Sequence, residues 1–456
     1  MVVNNTGRCG LNPKNDFLKN VWALAGPVAL QSMLQSSFSM VDQIMIGQLG
    51  EINVAGVGLA GKFASIYSVV ISAIGAVAGI MISQYLGQKN EREVRRSFLT
   101  NLLLGIGIGG AFTVLCALFP DFILGAYTKD AQTCQTGARY LALISGTFVP
   151  MAGATLLSTL LRCREKPRLP LYASIGAALL NTGLNYVLIF GKLGFSPMGV
   201  KGAAIATVAS QWANFLMMLG MLPRNQTDGR KGTFAARFQW RQYLSMLLPL
   251  LVCELMWSLG ENVYAVIYGH MGTEASAAMV LTNPVQGLVI GALCGLSQAA
   301  SVLIGKRLGS GENEEAFAES KRLLLYGGVG AAVLSAGVIL LSGIYVNIYQ
   351  VNGPVRAMTR QLLFAYGLVA PVKVLNMILG GGILRSGGRT KYVMFIDMVG
   401  TWCIGVPLGL LGAFVLKLPV AWVYFLLSLE EWVRFGISLA VFYRRNWMRR
   451  LEAGDE

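Results

Sequence analysis

Residues 39–50 read SMVDQIMIGQLG. They close an apolar run that starts near Leu18, with Asp42 inside it and no Lys or Arg between Val21 and Gly50. At 266–272 the chain reads VIYGHMG, which matches IMIGQLG at 44–50 with an offset of 222. Both stretches end a long apolar segment that begins near a proline, Pro27 and Pro249. YLGQKNE at 85–91 faces RLGSGEN at 307–313, again offset by 222. LLRCREK at 160–166 faces ILRSGGR at 383–389, offset 223, and Pro150 faces Pro371, offset 221. Four landmarks at nearly one offset indicate a duplication into two halves.

The composition fixes the environment of those halves. The 456 residues are 54% hydrophobic and 13% charged, against about 25% charged in a soluble domain. The 55 glycines also suit transmembrane helices. A bilayer core needs roughly 20 apolar residues to cross it. The sequence predicts twelve spans, at 18–46, 55–85, 97–119, 134–161, 169–190, 202–222, 241–268, 277–305, 320–346, 360–384, 392–414 and 419–443. They are helices, because backbone groups in lipid must be satisfied within the segment. The first seventeen residues are polar and lead straight into the first span, so no cleavable signal peptide is expected.

The net charge of +15 is unevenly placed. With the N-terminus in the cytoplasm, 27 of the 37 Lys and Arg fall in loops or span ends on that side and 8 on the other. Lys373 and Arg434 complete the set inside the spans. This asymmetry puts both termini in the cytoplasm. The basic loops face an anionic leaflet and require no nucleic acid. Six spans per half is an even number, so the halves are parallel repeats about an axis along the membrane normal. Secondary transporters are built this way. The domains are 1–222, a polar linker at 223–240, and 241–456 with a basic tail.

Seven scattered cysteines without CxxC spacing imply neither a disulfide framework nor a metal site. His270 is the single histidine. No HExxH, phosphate loop or nucleophile elbow is present, which argues against an enzyme.

The polar groups within the spans are the candidates for function. An acid at helix depth costs about 2.5–3.5 kcal/mol on insertion scales and is functional by default. Asp42 has no cation near it in its span, none lying between Val21 and Gly50, to explain it as structural. Asn181 and Asn185 lie four apart, on one helical face, and Thr207 lies in the sixth span. Their hard oxygens suit Na⁺ or a protonated acid. Glu254 and Glu261 share a face of the seventh span, and Lys373 lies in the tenth. Glu254 and Lys373 are expected to pair, since either charge alone at depth is costly. Asp397 is expected to pair with the nearby Arg385, Arg389 or Lys391, and Glu430 with Arg434 at i,i+4. Pro27 and Pro249 each free a carbonyl one turn earlier and make hinges in the helices that carry the acids. Met40, Tyr67, Met256, Trp257, Tyr264 and Met279 read mostly as ordinary packing; a subset facing a cavity would suit bulky, varied cargo.

MVDQIMIGQLG and VAGVGLAGKF in the first repeat, NTGLNYVLIFG at 181–191, GVKGAAIATVAS at 199–210 and LRSGGRTK at 384–391 together resemble the multidrug and toxic compound extrusion (MATE) transporters. These are the bacterial-type members of the MOP flippase superfamily. The resemblance runs from about 18 to 445 and implies an all-α membrane protein. Its twelve transmembrane helices would form two pseudo-twofold-related six-helix bundles in a V. It further implies a monomer in the plasma membrane that exports organic compounds, often cationic, in exchange for H⁺ or Na⁺, with no other cofactor. Asp42, Asn181, Asn185 and Thr207 fall where the family's cation-coupling residues stand. Some members carry Asp where Asn185 stands, so this lobe has one acid. The span-seven acid of NorM-type members would fall at Trp257, between Glu254 and Glu261. The alternative is a lipid-linked saccharide flippase of the same superfamily, which would need several cations in its cavity to grip a pyrophosphate.

Overall fold

The computed structural model describes residues 16–222, 239–347 and 351–452. The expected linker at 223–240 lies, except for its last two residues, outside the described residues. Among the described residues there is no strand, and twelve long helices run back and forth. They are α1 (Asp16–Gly47), α2 (Glu51–Gly87), α3 (Glu91–Leu118), α4 (Ala131–Cys163), α5 (Arg168–Phe190), α6 (Val200–Gly220), α7 (Trp240–His270), α8 (Thr273–Ser310), α9 (Asn313–Asn347), α10 (Gly353–Leu384), α11 (Thr390–Val415) and α12 (Val420–Leu427 with Leu429–Tyr443). Every expected span is present, most with a few extra residues at their ends.

Ten of these helices are long and apolar enough to cross a membrane by composition alone. The other two are α1 and α12. Helix α1 carries Asn20, Gln31 and the Ser36–Ser37 pair as well as Asp42. Helix α12 is interrupted at Ser428, just before Glu430 and Glu431. Polar content therefore marks both helices as more than membrane filler. Exposed apolar side chains such as Leu103 and Leu118 on α3 and Val333 and Leu340 on α9 face outward, as lipid contact allows.

Local signals set the helix ends. Gly50 and Gly272 adopt positive φ, 95° and 117°, at the two matching turns before α2 and α8. Few L-residues tolerate that region, so the repeated glycine in IMIGQLG and VIYGHMG has a backbone reason. Asn90 caps α3 by accepting from the Glu93 amide at 3.1 Å. Helices α10 and α11 widen to π turns at Met377–Leu384, Val399–Gly405 and Leu411–Val415. Such bulges mark functional sites frequently.

Helices α1–α6 form one bundle and α7–α12 the other. The two meet where α8 packs on α1 and α2. The tightest approaches lie toward the face where α1 begins and α12 ends, here the terminal face. A Cβ on Gly309 would come within 2.0 Å of the Gln84 carbonyl oxygen, and one on Gly87 within 2.0 Å of the Lys306 carbonyl oxygen. Small residues thus let backbone meet backbone at this seam. The segment after α12 reinforces it. Gln84 donates to the carbonyls of Ser386 (2.7 Å) and Arg449 (3.1 Å) and accepts from the Leu451 amide (2.8 Å). Gln88 donates to the Leu451 carbonyl at 2.8 Å, and Trp447 is fully buried. Toward the opposite face α1 is open instead: Met40, Val41 and Ile44 are exposed. The lobes therefore converge at the terminal face and part away from it, giving the V.

Candidate functional site

The N-terminal lobe gathers the four expected residues into one chain of hydrogen bonds. Helix α5 packs between α1 and α6, so its Asn face can reach both. Asn185 is fully buried, and its Nδ2 donates to Asp42 Oδ1 at 2.5 Å. The same nitrogen donates to Asn181 Oδ1 at 3.2 Å. Asn181 Nδ2 in turn reaches Thr207 Oγ1 at 3.5 Å and Ser210 Oγ at 3.4 Å. Both hydroxyls spend their protons on their own helix, on the carbonyls of Ala203 and Thr207 at 2.9 Å. They are therefore acceptors toward Asn181, so the donors run outward from Asn185, on one side to Asp42 and on the other through Asn181 to Thr207 and Ser210. Ser210 was not expected; its i,i+3 spacing from Thr207 was the available signal. Tyr140, on α4, also lies in the electrostatic neighbourhood of Asp42, and nothing in its sequence context marked it.

One atom of this chain stands apart. Asn185 Oδ1 is buried and has no hydrogen-bond partner. A buried amide oxygen without a donor is costly, by about 1–3 kcal/mol. It leaves a hard oxygen beside the Asp42 carboxylate, which is what a proton on the acid or a Na⁺ ion would use.

Pro27 and Pro249 lie inside α1 and α7, both of which continue through them. Pro27 removes the donor for the Ala23 carbonyl. It separates two different environments. Below it Val21, Leu24 and Ala25 are buried, and a Cβ on Gly295 of α8 would come within 2.1 Å of the Ala25 carbonyl oxygen. Above it lies the open segment that carries Asp42.

The C-terminal lobe departs from expectation. Glu254 does not pair with Lys373 but with Arg385, at 3.2 Å. Lys373 lies twelve residues before Arg385 on α10, about 18 Å along the axis, so the guanidinium at the helix end is the cation at Glu254's level. The electrostatic neighbours of Lys373 are Tyr424, Glu431, Glu261 and Tyr366. The three expected C-lobe charges therefore split, with Glu261 near Lys373 and Glu254 apart. Asp397 pairs with none of the three basic residues near it in sequence. It lies 3.9 Å from Arg434 and accepts from the Cys253 thiol at 2.9 Å. Glu430 and Arg434 remain electrostatic neighbours but make their direct contacts elsewhere. Arg434 lies 4.0 Å from Glu431 and donates to Thr401, while Glu430 accepts from Tyr264 at 2.6 Å. Asn376 holds Glu431 at 2.8 Å. Glu430, Glu431 and Arg434 share one unbroken helix, Leu429–Tyr443, so it is the neighbours from other helices, Thr401 on its π turn and Tyr264, that decide their direct contacts. Gly405 lets Tyr264 and Glu430 approach, since a Cβ there would lie 2.2 Å from the Tyr264 hydroxyl.

The MatE family model matches residues 27–187 and 249–411, one copy in each half. The two copies begin 222 residues apart, which is the offset of the sequence repeat. The chain is 23% identical over 441 residues to a protein named "Uncharacterized transporter YisQ" of Bacillus subtilis, covering 95% of this chain and 94% of that one. It is 24% identical over 440 residues to a "Probable multidrug resistance protein NorM" of Thermotoga maritima, covering 95% and 94%. In three dimensions it is similar to the crystal structure of a MATE protein in complex with MaL6. There the TM-score is 0.87 at 15% identity, covering 94% of this chain and 96% of that one. That likeness shows the shared fold.

Proposed function

The chain belongs to the MatE family of membrane transporters, and from that premise we propose that it is an exporter of drugs and other organic, often cationic, compounds, driven by inward passage of H⁺ or Na⁺. The observation that carries the reading is the buried Asn185 amide, which donates to Asp42 on one side and to Asn181 on the other. It holds a lone intramembrane carboxylate in a site with a spare acceptor, ready for one cation. The positive-inside rule supports a plasma-membrane protein with both termini cytoplasmic, so the terminal face is the cytoplasmic one and the V opens outward. We read the domains as 1–222 and 241–456 joined by 223–240, and the working unit as a single chain.

The geometry supports the following cycle. A cation entering from outside neutralises Asp42 and relaxes its hold on Asn185. The segment of α1 beyond Pro27 then moves, while the segment below stays pinned on α8. A helix with a proline hinge and a switchable charge has two shapes, and the charge chooses between them. One cation moving down about 100 mV supplies about 2.3 kcal/mol before any concentration term. The flippase alternative asks for a cluster of free cations at depth; Arg434 and Arg385 instead sit against carboxylates.

Export is tested in inside-out vesicles, with H⁺ and Na⁺ gradients imposed separately and uptake of a cationic dye followed. Uptake driven by one gradient and lost on its collapse is the expected result. Uptake that ignores both gradients overturns ion coupling.

A further inference from the structure

The two repeats place an arginine at matching positions, Arg162 in LLRCREK and Arg385 in ILRSGGR, 223 residues apart. Each ends the fourth helix of its half and reaches the first helix of that half, a little beyond the hinge proline. Arg385 meets a carboxylate there, Glu254 at 3.2 Å. Arg162 meets an amide, with its Nη2 donating to Gln31 Oε1 at 3.1 Å. Among the described residues no carboxylate lies within 4 Å of Arg162; its Nε is buried without a partner, as is that of Arg385, so the difference between the two is the missing carboxylate. Gln31 is itself fixed, donating to Ser174 of α5 at 2.7 Å. Cys294 of α8 is an electrostatic neighbour, so the guanidinium lies at the seam where the second lobe closes on the first. One half of the duplicated framework has its anion built in. The other has the cation, spare donors and no anion.

We propose that Arg162, with Gln31 and Ser174, is an oxyanion-binding site at the seam between the lobes, which takes a carboxylate or phosphate. A guanidinium suits this role because it offers five donors in a fork that fits such groups two at a time. The seam is closed here by the contacts of Gln84 and Gly309, so the anion enters when the lobes part on the cytoplasmic side. Gln31 to Asp42 and Ser174 to Asn185 are each eleven residues, about 16 Å of helix. The anion site and the coupling acid therefore stand on the same two helices. Arg162 releasing Gln31 to hold an anion would be felt at the α1 hinge. The site thus deepens the exporter reading: the cargo it favours is zwitterionic, or bears a carboxylate beside its cation.

The test uses the full chain in phosphatidylcholine nanodiscs, with rhodamine 110, which carries a free carboxylate, and rhodamine 123, its methyl ester. Binding is read by fluorescence anisotropy without any gradient. A chain that binds but does not transport thus fails the exporter reading and not this one. Wild type is expected to bind the acid about tenfold more tightly than the ester, the worth of one charged hydrogen-bonded contact. Arg162→Gln should abolish that preference while changing ester affinity less than about twofold, and Arg162→Lys should keep part of it. Gln31→Glu, which installs the carboxylate that the other half already has, should abolish the preference with the arginine still in place. A parallel arm replaces phosphatidylcholine with phosphatidylglycerol. A thermal stabilisation of wild type that Arg162→Gln lacks assigns the anion to a lipid phosphate. Wild type that shows neither the dye preference nor the lipid effect overturns the site, as does an Arg162→Gln protein that keeps either in full.

Discussion

Asn185 on α5 donates to Asp42 on α1 at 2.5 Å from a side chain wholly out of solvent. The pair joins the two helices at a point where α1 is otherwise open, and it depends on the charge of one partner. A carboxylate holds the amide strongly; a protonated or ion-bound one holds it less.

Asp42→Asn imitates the neutral form at all times. The protein should fold, insert and bind dye, with gradient-driven export gone. Vesicle uptake beside dye anisotropy on the same preparation checks both halves. Export at the wild-type rate would leave Asp42 a solvated surface acid.

Asn185→Leu removes the donor to Asp42 and the spare oxygen together. Export should fall by about tenfold or more, in line with about 1.5–3 kcal/mol for a hydrogen bond to a charged group. Ser210→Ala should be milder, since Asn181 keeps Thr207 as an acceptor. Initial rates at a fixed gradient rank the two, and equal losses would count against the ordered chain.

In the C-terminal lobe, Glu254→Gln should destabilise by about 1–3 kcal/mol, because Arg385 is left half-buried without its partner. Adding Arg385→Gln should recover part of that loss, whereas adding Lys373→Met should recover none. A double-mutant cycle on the melting temperature in detergent separates the partners. Coupling of Glu254 to Lys373 rather than to Arg385 would contradict the observed pairing.

The segment after α12 closes the terminal face through Gln84 and Gln88. Gln84→Leu should weaken that closure. Hydrogen exchange should then speed up at 84–90 and at 447–451 and stay unchanged around Asn185. Unaltered exchange at 447–451 would mean that Trp447 burial alone holds the segment.

The twelve helices, the duplication and the membrane setting were legible in the sequence. They rest on local quantities: apolar run length, glycine and proline placement, and charge between runs. The N-lobe site was legible for a related reason. Asn181 and Asn185 are fixed on one face by helical spacing, and an intramembrane acid admits few explanations. Ser210 escaped notice because a serine in a helix is ordinary until its neighbour is known.

Partner choice among the charges was decided by tertiary structure. Sequence spacing pairs Glu254 with Lys373, Asp397 with a nearby basic residue and Glu430 with Arg434, whereas the direct contacts are Glu254 with Arg385, Asp397 with Arg434 and Glu430 with Tyr264. A salt bridge spans about 4 Å, while the depth of a side chain read from span ends is uncertain by several residues. The π turns in α10 and α11 then rotate the faces again. The sequence repeat already pairs Arg162 with Arg385, but that one meets an amide and the other a carboxylate is decided by the packing. The sequence specified which helices form and what each carries. The packing of α8 on α1 and α2, and of α12 on α10 and α11, settled which of those groups meet, because small changes in helix rotation carry a charged side chain from one neighbour to the next.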